Sequence, residues 1–465
     1  MARRVDLIVI GGGISGLAAA WHAHQQGATV LVAEAGDRPG GKLQTSPLGG
    51  VDVDESADAF LARVPEAVDL CAELGIDTDL VAPAAASAYV WLDGALRRLP
   101  PDQLMGVPTD LDALAASGLL SPAGIGRARE DLARPDDRPA GGADESVGSL
   151  IRRRLGDEVL DRLVAPLVGS VYAGACDRMS VHVTAAQLAA ARDLDPDEPS
   201  LVRAAARLRA QGVDTGRPVF LAPRGGVGRL AGALADALGD AVRCGVAATG
   251  LTREGTGWRV ATAASGDLVG DAVVLATPAF AAAPLLAQIV PEAAAFLAGI
   301  DHASVALLGL VVPRDGVDHP MDGSGYLVPR PAGLLLTACS WATTKWPHLE
   351  VDPSLAVLRA SAGHDGDDRA TTLSDDDLVA GLLADLRTTM GLRAAPTEVR
   401  LTRWARSFPQ PRPGHLAAVA RAEAALARVE GLAATGAWAR GVGVPACIRE
   451  GRAAATRALG ATTEP

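Results

Sequence analysis

Lysine is nearly absent from this chain of 465 residues, and arginine carries almost all of its positive charge. Lysine and arginine total 43 residues, and because Lys42 and Lys345 are the only lysines, the other 41 are arginines. An excess of alanine and arginine usually reflects GC-rich coding, so the bias by itself indicates no function. Both lysines fall within motifs described below, which makes each of them a candidate site residue.

Cysteine and histidine are too few and too scattered for a disulfide framework or a metal site. The five cysteines are odd in number, lie far apart and never form a C-x-x-C motif. Among the eight histidines there is no H-x-x-x-H pair. The sequence therefore predicts no metal, and any demanding chemistry requires a bound organic cofactor or ordinary side chains.

A net basic charge and long apolar runs are also lacking. The net charge of −12 leaves no electrostatic footprint for nucleic acid or for an anionic membrane surface. No apolar run approaches the length of a membrane span, and no signal peptide opens the chain. We therefore expect a cytoplasmic protein without a transmembrane segment or a nucleic-acid partner. The length predicts two or three domains, and a hydrophobic content of 49% is enough for sizeable cores.

The first residues have the order of a dinucleotide-binding β-α-β unit. In VDLIVIGGGISGLAAA, which begins at Val5, an apolar run of strand length leads into a G-x-G-x-x-G motif at positions 11–16. A helix is predicted over residues 17–26, and a second strand, ATVLVAEA, reaches Glu34. With both strands and the acidic residue in place, a merely glycine-rich turn is the weaker interpretation.

Each residue of this unit has a physical role. Gly11 permits a tight turn, Gly13 lets the backbone approach a pyrophosphate, and Gly16 lets the helix pack closely on the sheet. The helix N-terminus offers free N–H groups and the positive end of a dipole to phosphate. Glu34 lies 18 residues after Gly16 and is placed to accept hydrogen bonds from ribose hydroxyls, with a solvated strand end as its alternative role.

The next segment, EAGDRPGGKLQT, indicates which dinucleotide is bound. It contains an R-x-G-G motif made by Arg38, Gly40 and Gly41, followed by Lys42. This continuation resembles the FAD-binding signature of amine-oxidase-like flavoproteins, which NAD-binding domains normally lack. The glycines would let the chain pass close to the cofactor, and Lys42 would offset diphosphate charge. The alternative is a surface loop whose basic residues are solvated.

A second glycine-rich stretch, GAWARGVGVPACIREGRAAA, lies near the other end of the sequence. Gly436, Gly441 and Gly443 would let the backbone crowd a flavin ring, and Pro445 would start a helix where its missing N–H costs nothing. The N-terminus of that helix would face the pyrimidine carbonyl edge of the flavin, which gains negative charge on reduction. An ordinary loop before a surface helix is the alternative.

The predicted fold class is α/β and α+β, with a discontinuous Rossmann-like FAD-binding domain, an antiparallel-sheet substrate domain and a helical subdomain. The predicted divisions are FAD-binding segments at 1–86, 213–295 and 405–465, a mostly helical subdomain at the substrate entrance at 87–212, and the antiparallel sheet at 296–404. An Asp93-Gly94 turn predicts a hairpin near 87–100. The polar loop at 133–146 is a candidate for disorder.

Several longer motifs are more discriminating than the glycine patterns. They are RRLPPDQLMGVPTD, DRLVAPLVGSVYAGACDRMS, TTKWPH, RWARSFPQPRPGH and GVGVPACIREGRAAA. On these motifs the chain resembles, almost end to end, the oxygen-dependent coproporphyrinogen III oxidase and protoporphyrinogen oxidase family of the FAD-dependent amine-oxidase-like superfamily. The resemblance implies FAD-dependent oxidation of coproporphyrinogen III to coproporphyrin III in haem biosynthesis, with O2 consumed and H2O2 released.

Other functions stay open at this point. They are oxidation of protoporphyrinogen IX, the reaction of a related flavin amine oxidase or desaturase, and flavin binding without catalysis. The resemblance identifies no catalytic acid or base. It leaves room for a transient contact with ferrochelatase.

The resemblance also implies which residues bind FAD. Glu34 would hold ribose, and Val246 would hold the adenine through its backbone. Trp404 would pack near the flavin, with a place in the core of the second domain as its alternative. The implied set is Gly11, Gly12, Gly13, Ile14, Ser15, Gly16, Glu34, Ala35, Arg38, Gly41, Lys42, Ser56, Ala57, Asp58, Ala59, Val246, Trp404, Val442, Gly443 and Val444.

Coproporphyrinogen carries four carboxylates, so its pocket should include basic groups. Motif position makes Arg97, Arg98 and Lys345 the candidates, since arginine's planar fork suits a carboxylate. Lys345 is alternatively a residue that acts through a water at the flavin, by analogy with related amine oxidases.

Three departures from the family pattern bear on the shape of the pocket. Ser170, in GSVYAG, is at a position that is usually glycine and is a further candidate substrate residue. Pro411 is found where the family has PQY, and Trp438-Ala439 replaces a small residue followed by tyrosine. These departures put the identity of the porphyrinogen in doubt more than the fold or the flavin.

Overall fold

The computed structural model of the protein describes residues 4–85, 87–213 and 218–460. The first sheet collects strands from distant parts of the sequence. Its strands are Val5–Ile10, Val30–Ala33, Val242–Arg243, Ala248–Glu254, Gly257–Thr262, Leu268–Leu275 and Leu432–Ala434. Val5–Ile10 is central and pairs in parallel with Val30–Ala33 and Leu268–Leu275. Leu268–Leu275 in turn pairs in parallel with Leu432–Ala434 and antiparallel with Gly257–Thr262.

Helices cover both faces of the first sheet because its strands are apolar on both sides. Leu7 and Val9 pack on one face and Ile8 and Ile10 on the other, and all four are buried. The helices on the first face are Ile14–Gln25, Pro65–Glu73, Gly228–Leu238 and Val444–Ala458, and those on the second are Ala279–Leu286, Pro291–Ala298 and His415–Leu426. A mostly parallel sheet buried on both faces is typical of α/β proteins, and it confirms the predicted fold class.

Two glycines let helices on the first face approach their neighbours closely. A Cβ atom on Gly16 would lie 1.9 Å from the carbonyl oxygen of Gly11, far inside van der Waals contact. This is the close helix–sheet approach expected of the third motif glycine. A Cβ atom on Gly451 would lie 2.2 Å from the carbonyl oxygen of Ser15. The helix Val444–Ala458 is therefore packed directly on the helix Ile14–Gln25.

The second sheet lies beside the first and has one covered face. In order across the sheet its strands are Glu398–Pro409, His302–Pro313, Leu355–Ala362, Leu336–Trp341, Gly325–Leu327, Tyr89–Leu92 and Ala95–Arg98. The helix Asp375–Met390 packs on one face through Leu378, Leu382 and Leu386, which are all buried. The opposite face is left to line a cavity.

The hairpin predicted at the Asp93-Gly94 turn is present; it extends the second sheet, while its Val90 and Leu92 pack into the core of the helical region. Tyr89–Leu92 pairs in parallel with Gly325–Leu327, so the sheet predicted to be antiparallel is mixed at this pair. The reason is burial: Tyr89 packs its ring 5.5 Å from that of Trp341 and is 8% exposed. The hairpin thereby covers an edge that would otherwise be open.

Residues between the hairpin and the next strand of the first sheet are mostly helical, as expected. The helices are Leu111–Ser117, Pro122–Arg129, Val147–Leu155, Asp157–Val159, Ala165–Tyr172, Val181–Thr184, Ala186–Leu194 and Leu201–Val213, with single turns at Glu130–Leu132, Ala140–Gly142 and Leu160–Val164. The prediction of disorder at 133–146 is wrong for this fold, because the Arg138 guanidinium donates hydrogen bonds to the carbonyl oxygens of Arg192, 3.0 Å away, and Pro196, 2.8 Å away.

The remaining elements are short and connect these bodies. The strands are Thr45–Leu48, Val51–Asp54, Phe60–Leu61, Leu80–Val81, Gln103–Leu104, Val107–Pro108 and Phe220–Pro223. The helical turns are Asp77–Asp79, Gly239–Ala241, Arg314–Gly316, Arg330–Ala332, Ala342–Lys345, Pro347–Leu349 and Arg369–Thr372. None of the helices in the described residues has both the length and the apolar character that crossing a membrane requires.

Candidate active site

A cavity of about 2970 Å³ lies where the two sheets and the helical region meet. Its wall includes the carboxyl ends of the first sheet's parallel strands, one face of the second sheet and the helix Ala165–Tyr172. Ligands of α/β proteins bind at such strand ends. Because single-ligand pockets are usually below about 1000 Å³, this volume is enough for a large cofactor and a second molecule together.

The cavity wall is cationic although the whole chain is acidic. Its cations are Lys42, Arg63, Arg98, Arg152, Arg209, Arg330, Lys345, Arg359 and Arg406. Its carboxylates are Glu34, Glu55, Asp58, Asp161 and Asp177. The rest of the wall is mostly apolar. The cavity therefore suits ligands that combine apolar bulk with several negative charges.

The glycine motif forms one end of the cavity. Gly13 precedes the helix Ile14–Gln25, whose first N–H groups have no side-chain cap. The carboxylate of Glu34 accepts hydrogen bonds from the backbone N–H groups of Gly12, at 2.6 Å, and Gly36, at 2.7 Å. Glu34 is thus fixed at the rim with oxygen lone pairs left for a ligand's hydroxyl groups.

Two features of this part of the chain fit a dinucleotide. A Cβ atom on Gly13 would meet nothing nearer than the Cα of Gly41, at 4.0 Å, so protein packing does not require a glycine at this position. The buried hydroxyl of Thr277, in the cavity wall, has no hydrogen-bond partner among the described residues. A ligand that occupies the space beside Gly13 and bonds Thr277 would account for both.

Lys42 and Arg38 come from the same loop and end in different places. Lys42 lines the cavity, and burial lowers the pKa of its ammonium group. It forms no ion pair within the described residues. Arg38 lies outside the wall, half-exposed, with its guanidinium 3.9 Å from the Glu55 carboxylate. The structure therefore keeps Lys42 as a partner for an anionic ligand and does not bring Arg38 to it.

The segment Ser56–Ala59 lines the cavity and is held by an ion triad. Both carboxylate oxygens of Asp58 lie 2.9 Å from the Lys345 ammonium group, and one lies 2.8 Å from the Arg359 guanidinium. Arg359 also donates to the carbonyl oxygen of Ser56. Burial alone would raise the pKa of the Asp58 carboxyl, but the two cations outweigh it and hold the pKa well below its usual value. Lys345, predicted to meet substrate or a water at the flavin, lines the cavity, where its ammonium group is bonded to Asp58.

Asp54, four residues earlier, is a buried carboxyl without this compensation. Burial raises its pKa to about 6, although Arg359 and a 2.5 Å hydrogen bond from the Thr45 hydroxyl act in the opposite direction. Because the folded pKa exceeds the unfolded value of 3.8, this carboxyl contributes most to stability below pH 4. That contribution is lost as the pH rises to about 6.

We expect Asp54→Asn to remove that pH dependence. Asparagine keeps an oxygen to accept from Thr45 and from the backbone N–H of Val227 but carries no charge. The variant's advantage in unfolding free energy over the natural protein should grow by about 1 kcal/mol between pH 5 and pH 8, measured by urea unfolding. Asp52→Asn, at an exposed position in the same strand, controls for the charge change. If the difference in unfolding free energy between Asp54→Asn and the natural protein were the same at pH 5 and pH 8, the prediction would be wrong.

The glycine-rich stretch near residue 440 forms the opposite wall of the same site. Val442, Gly443 and Val444 line the cavity, and Gly443 precedes the helix Val444–Ala458, which has Pro445 in its first turn. Trp404 also lines the cavity, and its indole N–H donates to the carbonyl oxygen of Glu55 at 2.6 Å. Trp404 therefore belongs to the cavity wall and is not a core aromatic.

Most of the residues predicted to bind a cofactor are brought together in this wall. They are Gly11, Gly13, Ile14, Ser15, Glu34, Ala35, Gly41, Lys42, Ser56, Ala57, Asp58, Ala59, Val246, Trp404, Val442, Gly443 and Val444. Gly12 and Gly16 lie behind it, Gly12 as a backbone donor to Glu34 and Gly16 against Gly11. Their backbone positions shape the turn without facing the cavity.

The candidate substrate residues are divided. Ser170 lines the cavity and donates to the carbonyl oxygen of Leu167 at 2.9 Å. Arg98 lines it too, but its guanidinium is 2.7 Å from the Asp322 carboxylate and 4.9 Å from the centre of the Tyr89 ring. Arg97, next to it in the strand, is outside the wall because successive strand side chains point to opposite faces.

Of the residues that depart from the family pattern, some line the cavity and others lie outside its wall. The Trp438 side chain lines the cavity and its buried indole N–H has no partner within the described residues. Pro411 is outside the wall, and its carbonyl oxygen accepts from the backbone N–H of Ser180. Ala439 is outside the wall as well.

The sequence did not single out several cavity cations, namely Arg63, Arg152, Arg209, Arg330, Arg359 and Arg406. Arg359 had a signal, since it is the one charge in the apolar strand Leu355–Ala362. The others are indistinguishable from surface arginines in a chain with 41 of them.

Comparisons with known proteins show which proteins this chain is similar to. Residues 14–459 match the family described as flavin containing amine oxidoreductase. Coproporphyrinogen III oxidase of Bacillus subtilis (strain 168) is 32% identical over 468 residues, which cover 97% of each chain. The enzyme of the same name from Mycobacterium leprae (strain TN) is 37% identical over 449 residues and 95% of each chain. The crystal structure of a putative protoporphyrinogen oxidase from Exiguobacterium sp. 255-15 matches with a TM-score of 0.86 and 28% identity, covering 99% of this chain and 100% of that one.

Proposed function

This chain belongs to the flavin-containing amine oxidoreductase family, and from that premise we propose that it oxidises coproporphyrinogen III to coproporphyrin III. Relatives matched over nearly their whole length bear the name of that activity. The observation that carries the proposal is the cavity wall, which is apolar and cationic in an acidic protein. A bulky tetrapyrrole with four carboxylates fits such a wall, whereas a cationic amine would be repelled by it.

We infer that the flavin is FAD. The glycine motif, the rim carboxylate Glu34 and the unpaired Lys42 form a dinucleotide cradle, and the wall beyond it has room for a ring system. When bound there, FAD supplies a two-electron acceptor for hydride from a carbon bridge, and O2 restores it with release of H2O2, so the six-electron oxidation takes three cycles.

The chain's own residues would bind the cofactor, orient the substrate and exclude water. Lys42 and the N-terminus of Ile14–Gln25 would neutralise the diphosphate. The N-terminus of Val444–Ala458 would place its positive dipole end at the ring. The triad of Asp58, Lys345 and Arg359 fixes the backbone that faces the ring and leaves one net positive charge beside it.

Protoporphyrinogen IX is the second candidate substrate. The observation in its favour is the fold match to a putative protoporphyrinogen oxidase at 28% identity. It has two carboxylates where coproporphyrinogen III has four, so the strongly cationic wall favours the latter.

The test is a direct comparison of the two substrates. Purified protein should show a bound flavin spectrum and, in air, should form porphyrin fluorescence from coproporphyrinogen III well above the spontaneous rate, with lower kcat/KM for protoporphyrinogen IX. Heat-denatured protein gives the background. If the protein shows a flavin spectrum but forms no porphyrin above that background, the proposed reaction is wrong. The use of O2, a cytoplasmic location and a transient contact with ferrochelatase stay predictions.

A further inference from the structure

Arg330 occupies a distinctive place in the cavity wall. It begins the helical turn Arg330–Ala332, just after the strand Gly325–Leu327 of the second sheet. Its guanidinium is close enough to Cys176 and to Asp365 to interact electrostatically with both. It therefore lies where the segment after helix Ala165–Tyr172 meets the turn after strand Leu355–Ala362.

That junction is tied together and lies next to the predicted flavin ring. The backbone N–H of Asp365 donates to the carbonyl oxygen of Ala173 at 2.6 Å. On the other side of the same segment, a Cβ atom on Gly441 would lie 3.5 Å from the Tyr172 hydroxyl. The loop assigned to the flavin and the wall that carries Arg330 are thus separated by one short stretch of chain.

The charge on Arg330 has no counterion within the described residues. Of the two carboxylates that act electrostatically on Arg330, Asp365 is bonded by Arg178, and Asp367 is bonded by Arg369 at 2.7 Å. No carboxylate lies within 4.0 Å of Arg330, and its side chain donates no hydrogen bond to described residues. The residue is exposed, so its guanidinium is open to the cavity that it lines. An arginine that faces a cavity without a protein partner is suited to an anionic ligand.

Other cavity arginines differ from Arg330 in partner or place. Arg98, Arg152, Arg209 and Arg359 are each paired with a carboxylate. Arg406 is unpaired, but its guanidinium lies 3.8 Å from the centre of the Phe280 ring, on the side of the first sheet. Arg63 follows the strand Phe60–Leu61, close to the segment that faces the cofactor. Arg330 is on the second-sheet side of the cavity.

We propose that Arg330 binds a carboxylate of the tetrapyrrole substrate and so positions the macrocycle at the flavin. The inference rests on the proposed function, and it names a residue that motif position did not reveal. The planar guanidinium would donate two parallel N–H hydrogen bonds to the carboxylate, which would supply the counterion that Asp365 and Asp367 do not.

The test uses ligands that differ only in charge. Arg330→Gln and Arg330→Lys are titrated, as flavin-loaded proteins, with coproporphyrin III and with its tetramethyl ester, following absorbance. We expect Arg330→Gln to weaken binding of the acid about 10-fold, to leave ester binding within about 2-fold, and to raise KM more than it changes kcat. Arg330→Lys should restore part of the loss. Arg209→Gln, a cavity arginine already paired with Asp102, is the matched control.

Three outcomes would overturn the inference, and the third would overturn the proposed function with it. If the natural protein oxidises coproporphyrinogen III and Arg330→Gln binds the acid as tightly as the natural protein does, the proposed role of Arg330 is wrong and the proposed function stands. The role of Arg330 is also wrong if Arg330→Gln weakens binding of the acid and of the ester equally, with an unchanged flavin spectrum and melting temperature. A change in the shape of the cavity would explain that result without a charge interaction. A natural protein that neither binds nor oxidises either porphyrinogen would overturn the proposed function and this inference together.

Discussion

Gly13→Val should yield a folded protein that has lost its flavin. Gly13 has φ −72° and ψ 174°, an extended conformation that valine adopts without strain. A Cβ atom added there would meet no protein atom nearer than 4.0 Å, and we expect the side chain to occupy the space assigned to the diphosphate. FAD affinity should therefore fall by about 100-fold or more, which is ~3 kcal/mol, measured by the visible spectrum and by FAD titration of the apoprotein.

The controls separate a lost cofactor from a lost fold. The melting temperature of the Gly13→Val apoprotein should match that of the natural apoprotein. Gly232→Val, at a helix position with nothing within 4 Å of an added Cβ atom, should keep its flavin. Gly16→Ala should instead fail to fold, because its Cβ atom would overlap the carbonyl oxygen of Gly11. Retention of the flavin by Gly13→Val would mean that the diphosphate lies elsewhere.

Asp58→Asn should cost about 3–5 kcal/mol of unfolding free energy. The substitution leaves Lys345 and Arg359 as neighbouring cations, and their side chains are only 18% and 6% exposed. Neither has another carboxylate within 4.0 Å in the described residues. Chemical unfolding of the flavin-loaded protein at pH 7 measures the loss.

An exposed ion pair provides the matched control for this substitution. Asp322→Asn removes the partner of Arg98, where the two side chains are 49% and 47% exposed, and should cost no more than about 1 kcal/mol. Adding Lys345→Met to Asp58→Asn should recover part of the stability, because it removes one of the two unpaired cations. Equal losses for Asp58→Asn and Asp322→Asn would show that the triad contributes little.

The first sheet and its cradle were predictable because their signals are local. The strand Val5–Ile10, the turn at 11–16 and the helix Ile14–Gln25 follow one another without interruption, and each is indicated by its own residues. The same locality explains a difference that the sequence did not reveal. Arg38 and Lys42 look equivalent in the sequence, but Gly40 and Gly41, at φ +105° and +58°, turn the chain between them. Only Lys42 is left facing the cavity.

The electrostatic partners were not predictable because they join residues far apart in the sequence. Nothing near Lys345 indicates that Asp58 will bind it, and nothing near Arg330 indicates that Arg178 and Arg369 will occupy the carboxylates beside it. The same applies to the hairpin Tyr89–Arg98, whose turn was clear but whose parallel neighbour, Gly325–Leu327, is a long-range choice. Pairings of this kind depend on how the sheets come together.

The late position of Leu432–Ala434 and Val444–Ala458 has a consequence for biogenesis. Because synthesis proceeds from the N-terminus, the glycine turn at 11–16 leaves the ribosome long before the strand and the helix that complete its surroundings. Until then the apolar faces around Leu7 and Ser15 lack their covering. We therefore expect stable flavin binding to require nearly the whole polypeptide, and the nascent chain to expose apolar surface until then.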